Sequence, residues 1–220
     1  LNIGGNIELE SGTGLTSGNV VLNTASSSSS GELLLKTGIS TSGSTGSISI
    51  NTGNAVDGKT GDISLLVGNS NMDTGSNVNI EAGSTSGNNN GGSIYMKSGK
   101  SDNISSGIIN IQSSEAGSGY SGDIAISSGT ASLANSGNIL LNSGDSLSGG
   151  SAGSFNINVG SSNDDIGGDI LLNSGNSLKN NGGVVNIKGG NGGAKSIGGS
   201  IKLESGTGIE SGDLSIMSSN

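Results

Sequence analysis

The sequence predicts an all-β protein, a parallel β-solenoid (β-helix) of about fifteen repeats of roughly fifteen residues, with two repeats in each coil. Three observations predict it: an apolar pair recurs at near-constant spacing along the 220 residues, glycine accounts for 44 of them, and proline is absent. Apolar residues spaced by two line one face of a strand and cannot line one face of a helix. Residues 1–220 are therefore expected to be a single solenoid array, itself a fragment of a longer one.

The repeat unit begins at what we call its start position, which is glycine in every unit except one. Spacings between successive starts range from 13 to 16 residues. A fixed period of this kind is the sequence signature of repeat architectures, in which each unit packs on its neighbours. The start positions are Gly5, Gly18, Gly31, Gly46, Gly61, Ser76, Gly92, Gly107, Gly122, Gly137, Gly153, Gly168, Gly183, Gly199 and Gly212.

The apolar pair occupies the positions two and four residues after each start, and all thirty of these positions are apolar in a chain that is 29% hydrophobic. The side chains are expected to stack into one continuous column that excludes water, which would make the chain a stiff rod with a mechanical role. Pairs that stay exposed to water would rule out both the rod and that role. The residues predicted to form this structural core include Ile7, Leu9, Ile48, Ile50, Ile63, Leu65, Ile94, Met96, Ile124, Ile126, Ile139, Leu141, Phe155, Ile157, Ile170, Leu172, Ile201 and Leu203.

A tight corner is expected at the end of each strand. The position six residues after the start, which we call the corner position, is Ser or Thr in most units, and glycine usually follows it. The small hydroxyl is expected to hydrogen-bond the backbone, and the glycine to supply a positive φ.

The sequence also favours one answer to how many units form each coil of the solenoid. With one unit per coil, each apolar pair would face its own polar connecting segment. With two, the sheets of apolar pairs face each other about 10 Å apart. The two-unit coil is favoured because residues 139–144 recur exactly as residues 170–175, and a leucine follows each copy, at Leu147 and Leu178.

Composition narrows the function. The net charge of −9 is spread along the chain without runs of like sign, which gives no electrostatic footprint for nucleic acid, and no apolar stretch is long enough to enter a membrane. Histidine, cysteine and arginine are absent, which removes the usual general base, thiol nucleophile and anion clamp. No enzyme activity, catalytic residue, cofactor or metal site is therefore predicted.

Two strings match known site patterns, and both are interpreted as connecting segments. Residues 53–60 read GNAVDGKT, the spacing of a phosphate-binding loop, but a strand rather than the required helix is expected after them. Residues 117–122 read GSGYSG, a dinucleotide-type spacing without its structural context. Asp164 and Asp165 are an isolated pair in one connecting segment, and a solvated edge explains them better than a weak calcium site does.

The Gly-[Asp/Asn/Ser]-Ile-x-Leu-x-Ser-Gly unit resembles the repetitive solenoid stretches of microbial and protist surface proteins, including large adhesins and the shafts of extracellular fibres and flagellar hairs. The resemblance implies an extracellular or cell-surface filament or stalk subunit that associates end to end or laterally with itself or with other fibre subunits. The alternative is a binding module for ice or carbohydrate that uses ranked outward Asn, Ser and Thr. The sequon at Asn103 is compatible with secretion, and a glycan is one candidate partner.

Overall fold

The structure is a computed structural model in which residues 4–72 and 74–218 are described. Over these residues it contains neither helix nor β-strand. The predicted all-β parallel β-solenoid is therefore wrong, as are both proposed coils, and the chain is an irregular coil with regularly spaced bends. Its accessible surface is 22804 Å², whereas a compact protein of 21.1 kDa exposes roughly 9,000 Å².

The physical reason lies in how little each unit can bury. A unit of about fifteen residues offers two pair side chains, each worth roughly 1.5–3 kcal/mol when fully buried. Ordering its backbone costs about 1–2 kcal/mol for every residue. A solenoid within one chain would also need ladder hydrogen bonds between units, and the backbone hydrogen bonds that the described residues form are instead local to the connecting segments.

The repeat nevertheless appears in the structure as one bend in each connecting segment. We call the residues from seven after a start to the next start a loop, and name each loop by its first and last residue. Each of the fourteen loops contains one bend or turn among its described residues. The bends lie at 14–16, 27–29, 41–43, 56–58, 71–72, 86–89, 102–104, 117–119, 132–134, 148–150, 163–165, 178–180, 194–196 and 208–210.

The side chains between loops alternate in exposure, as a spacing of two predicts, although no strand forms. Val21 is 78% exposed, whereas its neighbours Val20 and Leu22, at the pair positions, are 55% and 63% exposed. Val67 and Val159, at corner positions, are 42% and 44% exposed. In most units the side chains two, four and six residues after a start are the better covered ones, although Ile7 is fully exposed and Leu34 is no more exposed than Leu35.

The chain divides into two units, Leu1–Asn110 and Ile111–Asn220. The first contains the loops from 12–18 to 99–107, and the second contains those from 114–122 to 206–212. Each has the same sequence of apolar pair, corner and bent loop. None of the described residues in either unit is buried, so neither has a hydrophobic core.

Candidate functional site

The predicted core side chains all lie largely in water in this structure. Ile139, the least exposed of them, keeps 50% of its surface accessible, and Ile7 is fully exposed. The dry column is therefore absent from the described residues, and the prediction that one chain builds a rod by itself is wrong. What the structure does provide is a repeated apolar strip, which we define as the two pair positions and the residue between them.

The apolar strips carry almost no charge. Among their forty-five residues only Glu8 and Lys202 are charged, although the chain has 25 charged side chains in all. Lys202 forms an ion pair with Glu204, two residues further on. Fifteen nearly uncharged apolar strips, all exposed, are the most extensive candidate interaction surface that the described residues offer.

Glycine pairs close seven of the loops. In each, the start glycine donates its backbone N–H to the carbonyl oxygen of the loop's first glycine, over 2.8 to 3.4 Å. The loop then leaves and rejoins the chain at nearly one point. The closed loops are 12–18, 83–92, 99–107, 144–153, 175–183, 190–199 and 206–212.

Closed loops share one type of corner residue. All seven closed loops follow a corner Ser, Ala or Gly, whereas the five loops that follow a corner Thr or Val lack the bond. A Cβ placed on Gly107 would lie 3.4 Å from the Cβ of Ser98, so the two backbones approach closely there. After a corner threonine the nearest atom is its γ-methyl, 3.7 Å from such a Cβ on Gly61. The γ-carbon fills the space that the closing glycine needs.

Two loops with a small corner residue also remain open. The 114–122 loop begins with Ser114 in place of glycine, and the 129–137 loop has both glycines but lacks the bond. The structure gives no reason for the second case. Closure is thus seen only where a small corner residue is followed by glycine, and this pattern matches thirteen of the fourteen loops.

The predicted role of the corner glycines is wrong. Among the described residues only Gly149 has a positive φ, of 77°, and it lies in a bend rather than at a corner. At the closed loops a Cβ on the first glycine would have open space, whereas a Cβ on the start glycine of four of them would come within 3.2 to 3.3 Å of the opposite residues, at Gly92, Gly153, Gly183 and Gly199. The corner hydroxyl of Thr24 lies 3.1 Å from the hydroxyl of Ser30, the residue before the next start, rather than bonding the backbone.

A second hydroxyl position, which the sequence analysis missed, caps the bends. It lies nine residues after the start, two residues into the loop, and its oxygen accepts a backbone N–H two or three residues later. The accepting hydroxyl and the donating backbone N–H belong to Ser40 and Gly43 (3.0 Å), Thr85 and Gly87 (3.2 Å), Ser101 and Ile104 (3.1 Å), Ser162 and Asp165 (3.0 Å), and Ser177 and Asn180 (2.9 Å). Such Ser and Thr turns are common local alternatives to regular structure. Aligning the loops on their first glycine would have revealed the position.

The two motif-like strings have the surroundings of ordinary loops. After residues 53–60 the described chain continues without a helix, and Lys59 pairs instead with Asp62 at 3.3 Å, with both side chains about four-fifths exposed. Residues 117–119 form the bend of the 114–122 loop, and Tyr120 beside it is fully exposed. Neither string has the helix N-terminus that would hold a phosphate.

The aspartate pair considered as a weak calcium site, Asp164 and Asp165, lies in the 160–168 loop. Asp165 Oδ1 accepts the N–H of Ile166 at 2.8 Å, so part of this carboxylate is used by its own bend. Within residues 4–72 and 74–218 no three acidic side chains gather as metal ligands would. Over the same ranges, no helix has the length and apolar character needed to cross a membrane.

An open hollow of about 880 Å³ lies beside the 114–122 loop. Its lining includes Gln112, Ser113, Glu115 and Ser121, so amide, hydroxyl and carboxylate groups border it. The 114–122 loop begins with Ser114 rather than glycine, and it is open beside this space.

Comparison with known proteins adds no relative. No protein-family model matches the chain. No curated protein and no solved structure matches it either.

Proposed function

We propose that the chain is a structural subunit of an extracellular filament or stalk, in which copies associate through their apolar strips. The observation that carries the proposal is the exposure of every described pair side chain, none of which is buried. Soluble monomers rarely leave apolar patches of more than a few hundred Å² uncovered, and larger ones mark interaction sites. A partner is therefore needed to remove these strips from water.

A second copy of the same chain is the partner that fits best. Every unit presents the same short apolar strip at nearly the same interval, so one copy can match another unit by unit. Only Glu8 and Lys202 interrupt the strips with charge, and like charges therefore do not oppose contact there. Covering the remaining half of an Ile or Leu side chain contributes on the order of 1 kcal/mol, which the repeats multiply.

The mechanical role now follows from association rather than from a preformed rod. A single chain without a core has no means of resisting bending, since each of its units is tied only by local bonds. In an assembly, the same units would be fixed by contacts with neighbouring copies. An extracellular setting is supported by the resemblance to surface and fibre repeats and by the sequon at Asn103.

The experiment compares charges placed in a strip with charges placed in loops. Ile139→Lys with Leu141→Lys alters one strip, whereas Leu133→Lys with Leu147→Lys adds the same two charges at loop side chains that are already fully exposed. We expect the parent chain to form elongated assemblies, the strip variant to shift toward monomer, and the loop variant to resemble the parent. Sedimentation velocity and electron microscopy measure this. A parent chain that stays monomeric at every concentration, or equal loss in both variants, would contradict the proposal.

A binding module for carbohydrate is the second candidate, and the hollow beside the 114–122 loop favours it. Glu115, Gln112 and the bordering serines offer the hydrogen-bonding groups that sugar hydroxyls use, and Tyr120 is exposed next to them. Ser114→Gly restores the closure pattern at this loop and should reduce binding on a glycan array. Equal glycan binding by the parent chain and by Ser114→Gly would mean that the glycan binds elsewhere on the chain. Absence of glycan binding by the parent chain would rule out this candidate function.

A further inference from the structure

We propose that Asn103 is a site of N-linked glycosylation. The proposal rests on the extracellular location given above, and it concerns a modification that the filament role does not require. Among the many asparagines of this chain, only Asn103 is followed two residues later by Ser or Thr, namely Ser105, with Ile104 between them. The Asn-x-Ser/Thr pattern with no proline between is the acceptor that oligosaccharide transfer requires.

The loop presents both required side chains. Residues 102–104 form the bend of the 99–107 loop, and Asn103 and Ser105 are both exposed. The bend is held by other groups: Ser101 Oγ accepts the N–H of Ile104 at 3.1 Å, and Gly107 N–H bonds the carbonyl of Gly99 at 2.9 Å. The amide of Asn103 and the hydroxyl of Ser105 are thereby left available to a transferase.

The other bends show why this loop is distinctive. Asn163 and Asn180 also lie in exposed bends, each following a serine cap. Their third residues are Asp165 and Gly182, which cannot complete the acceptor pattern. Geometry alone would thus allow several sites, and the sequence restricts transfer to one.

The transfer replaces one bond at C1 of the first sugar with another. The donor is a lipid pyrophosphate-linked oligosaccharide of the secretory pathway. A bond forms between Asn103 Nδ2 and C1 of the first sugar, while the bond from C1 to the pyrophosphate oxygen breaks. The lipid pyrophosphate leaves with the bonding electron pair, and the amide proton is passed to a base of the transferase.

The test uses the full chain behind a heterologous signal sequence, translated into microsomes, with protease protection marking the imported chains. We expect imported parent chain to migrate more slowly, and amidase removal of the glycan to restore its mobility and convert Asn103 to aspartate. Asn103→Gln and Ser105→Ala should each abolish the shift, because one removes the acceptor amide and the other the hydroxyl. Asn163→Gln, in a matched bend, should keep it.

Two results would overturn the site: imported parent chain without a shift, or a shift that persists in Asn103→Gln. Assembly is measured separately on unglycosylated chain made in bacteria. If the bacterial chain does not assemble, the filament proposal fails and the glycosylation result is unaffected. If Asn103 is not glycosylated, the assembly result is likewise unaffected.

Discussion

Two loops of the first unit, 99–107 and 53–61, have the same length and opposite organisation. In the 99–107 loop, Gly107 bonds Gly99 and Ser101 caps the bend. The 53–61 loop has neither restraint. Two side chains per unit, at the corner and capping positions, therefore set the local order of a chain whose described residues form no core.

The sequence difference between the two loops is small. The corner is Ser98 in the closed loop and Thr52 in the open one, and the capping position is Ser101 in one and Ala55 in the other. A γ-methyl separates the glycine backbones, and a missing hydroxyl leaves the bend amide without its acceptor. Both effects are local, so they can be exchanged between the loops.

Reciprocal double substitutions give the largest expected effect. Ser98→Thr with Ser101→Ala should open the 99–107 loop, and Thr52→Ser with Ala55→Ser should close the 53–61 loop. Each hydrogen bond contributes about 1 kcal/mol, so the closing amide and the bend amide should each change protection by roughly fivefold, which alters two amides in each loop. Hydrogen exchange of Gly107 and Gly61 by NMR measures it, and the residues next to those amides are unchanged. Rates that stay as in the parent would disprove the corner rule.

A side chain forced between the closed backbones should have a smaller effect. A Cβ on Gly92 would meet Ala82 Cβ and Gly83 N at 3.2 Å, so Gly92→Ala should break the 2.9 Å bond from residue 92 to Gly83. We expect roughly fivefold faster exchange at that amide after correction for its alanine intrinsic rate.

Gly83→Ala is the matched control for this steric prediction. It adds the same methyl at the other end of the same bond, where nothing lies within 4 Å. Protection of the Gly92 amide should therefore be retained. Equal losses in the two variants would mean that glycine's backbone freedom, rather than close approach, matters here.

Sequence reasoning located the apolar pairs and the corner positions, but the buried face and the positive-φ corners that it predicted there were wrong. The exposures of Val20, Val21 and Leu22 alternate because a spacing of two is a local property of the backbone. The solenoid was wrong because stacking depends on hydrogen bonds between distant units, which no local pattern specifies. Treating Ser and Thr as equivalent at the corner concealed the distinction between Ser98 and Thr52, where one methyl decides closure.

The bend cap alone should have a smaller effect still. Ser101→Ala removes the acceptor of the Ile104 N–H but leaves the small corner and both glycines in place. We expect two- to fivefold faster exchange at Ile104, corresponding to about 0.5–1 kcal/mol, with little change at Gly107. Ser101→Thr keeps the hydroxyl and should preserve protection at Ile104. Simultaneous loss at both amides in Ser101→Ala would show that cap and closure form one cooperative unit.

The ion pair beside the open loop should have the smallest effect. Lys59 and Asp62 approach to 3.3 Å with side chains 82% and 79% exposed, and water and salt screen such pairs almost completely. Lys59→Ala should therefore leave the exchange rate of Gly61 within error of the parent at low and at moderate ionic strength. Lys59→Arg keeps the charge and serves as the control. A salt-dependent change in the exchange rate of Gly61 that appears in Lys59→Ala but not in Lys59→Arg would mean that the ion pair organises the 53–61 loop.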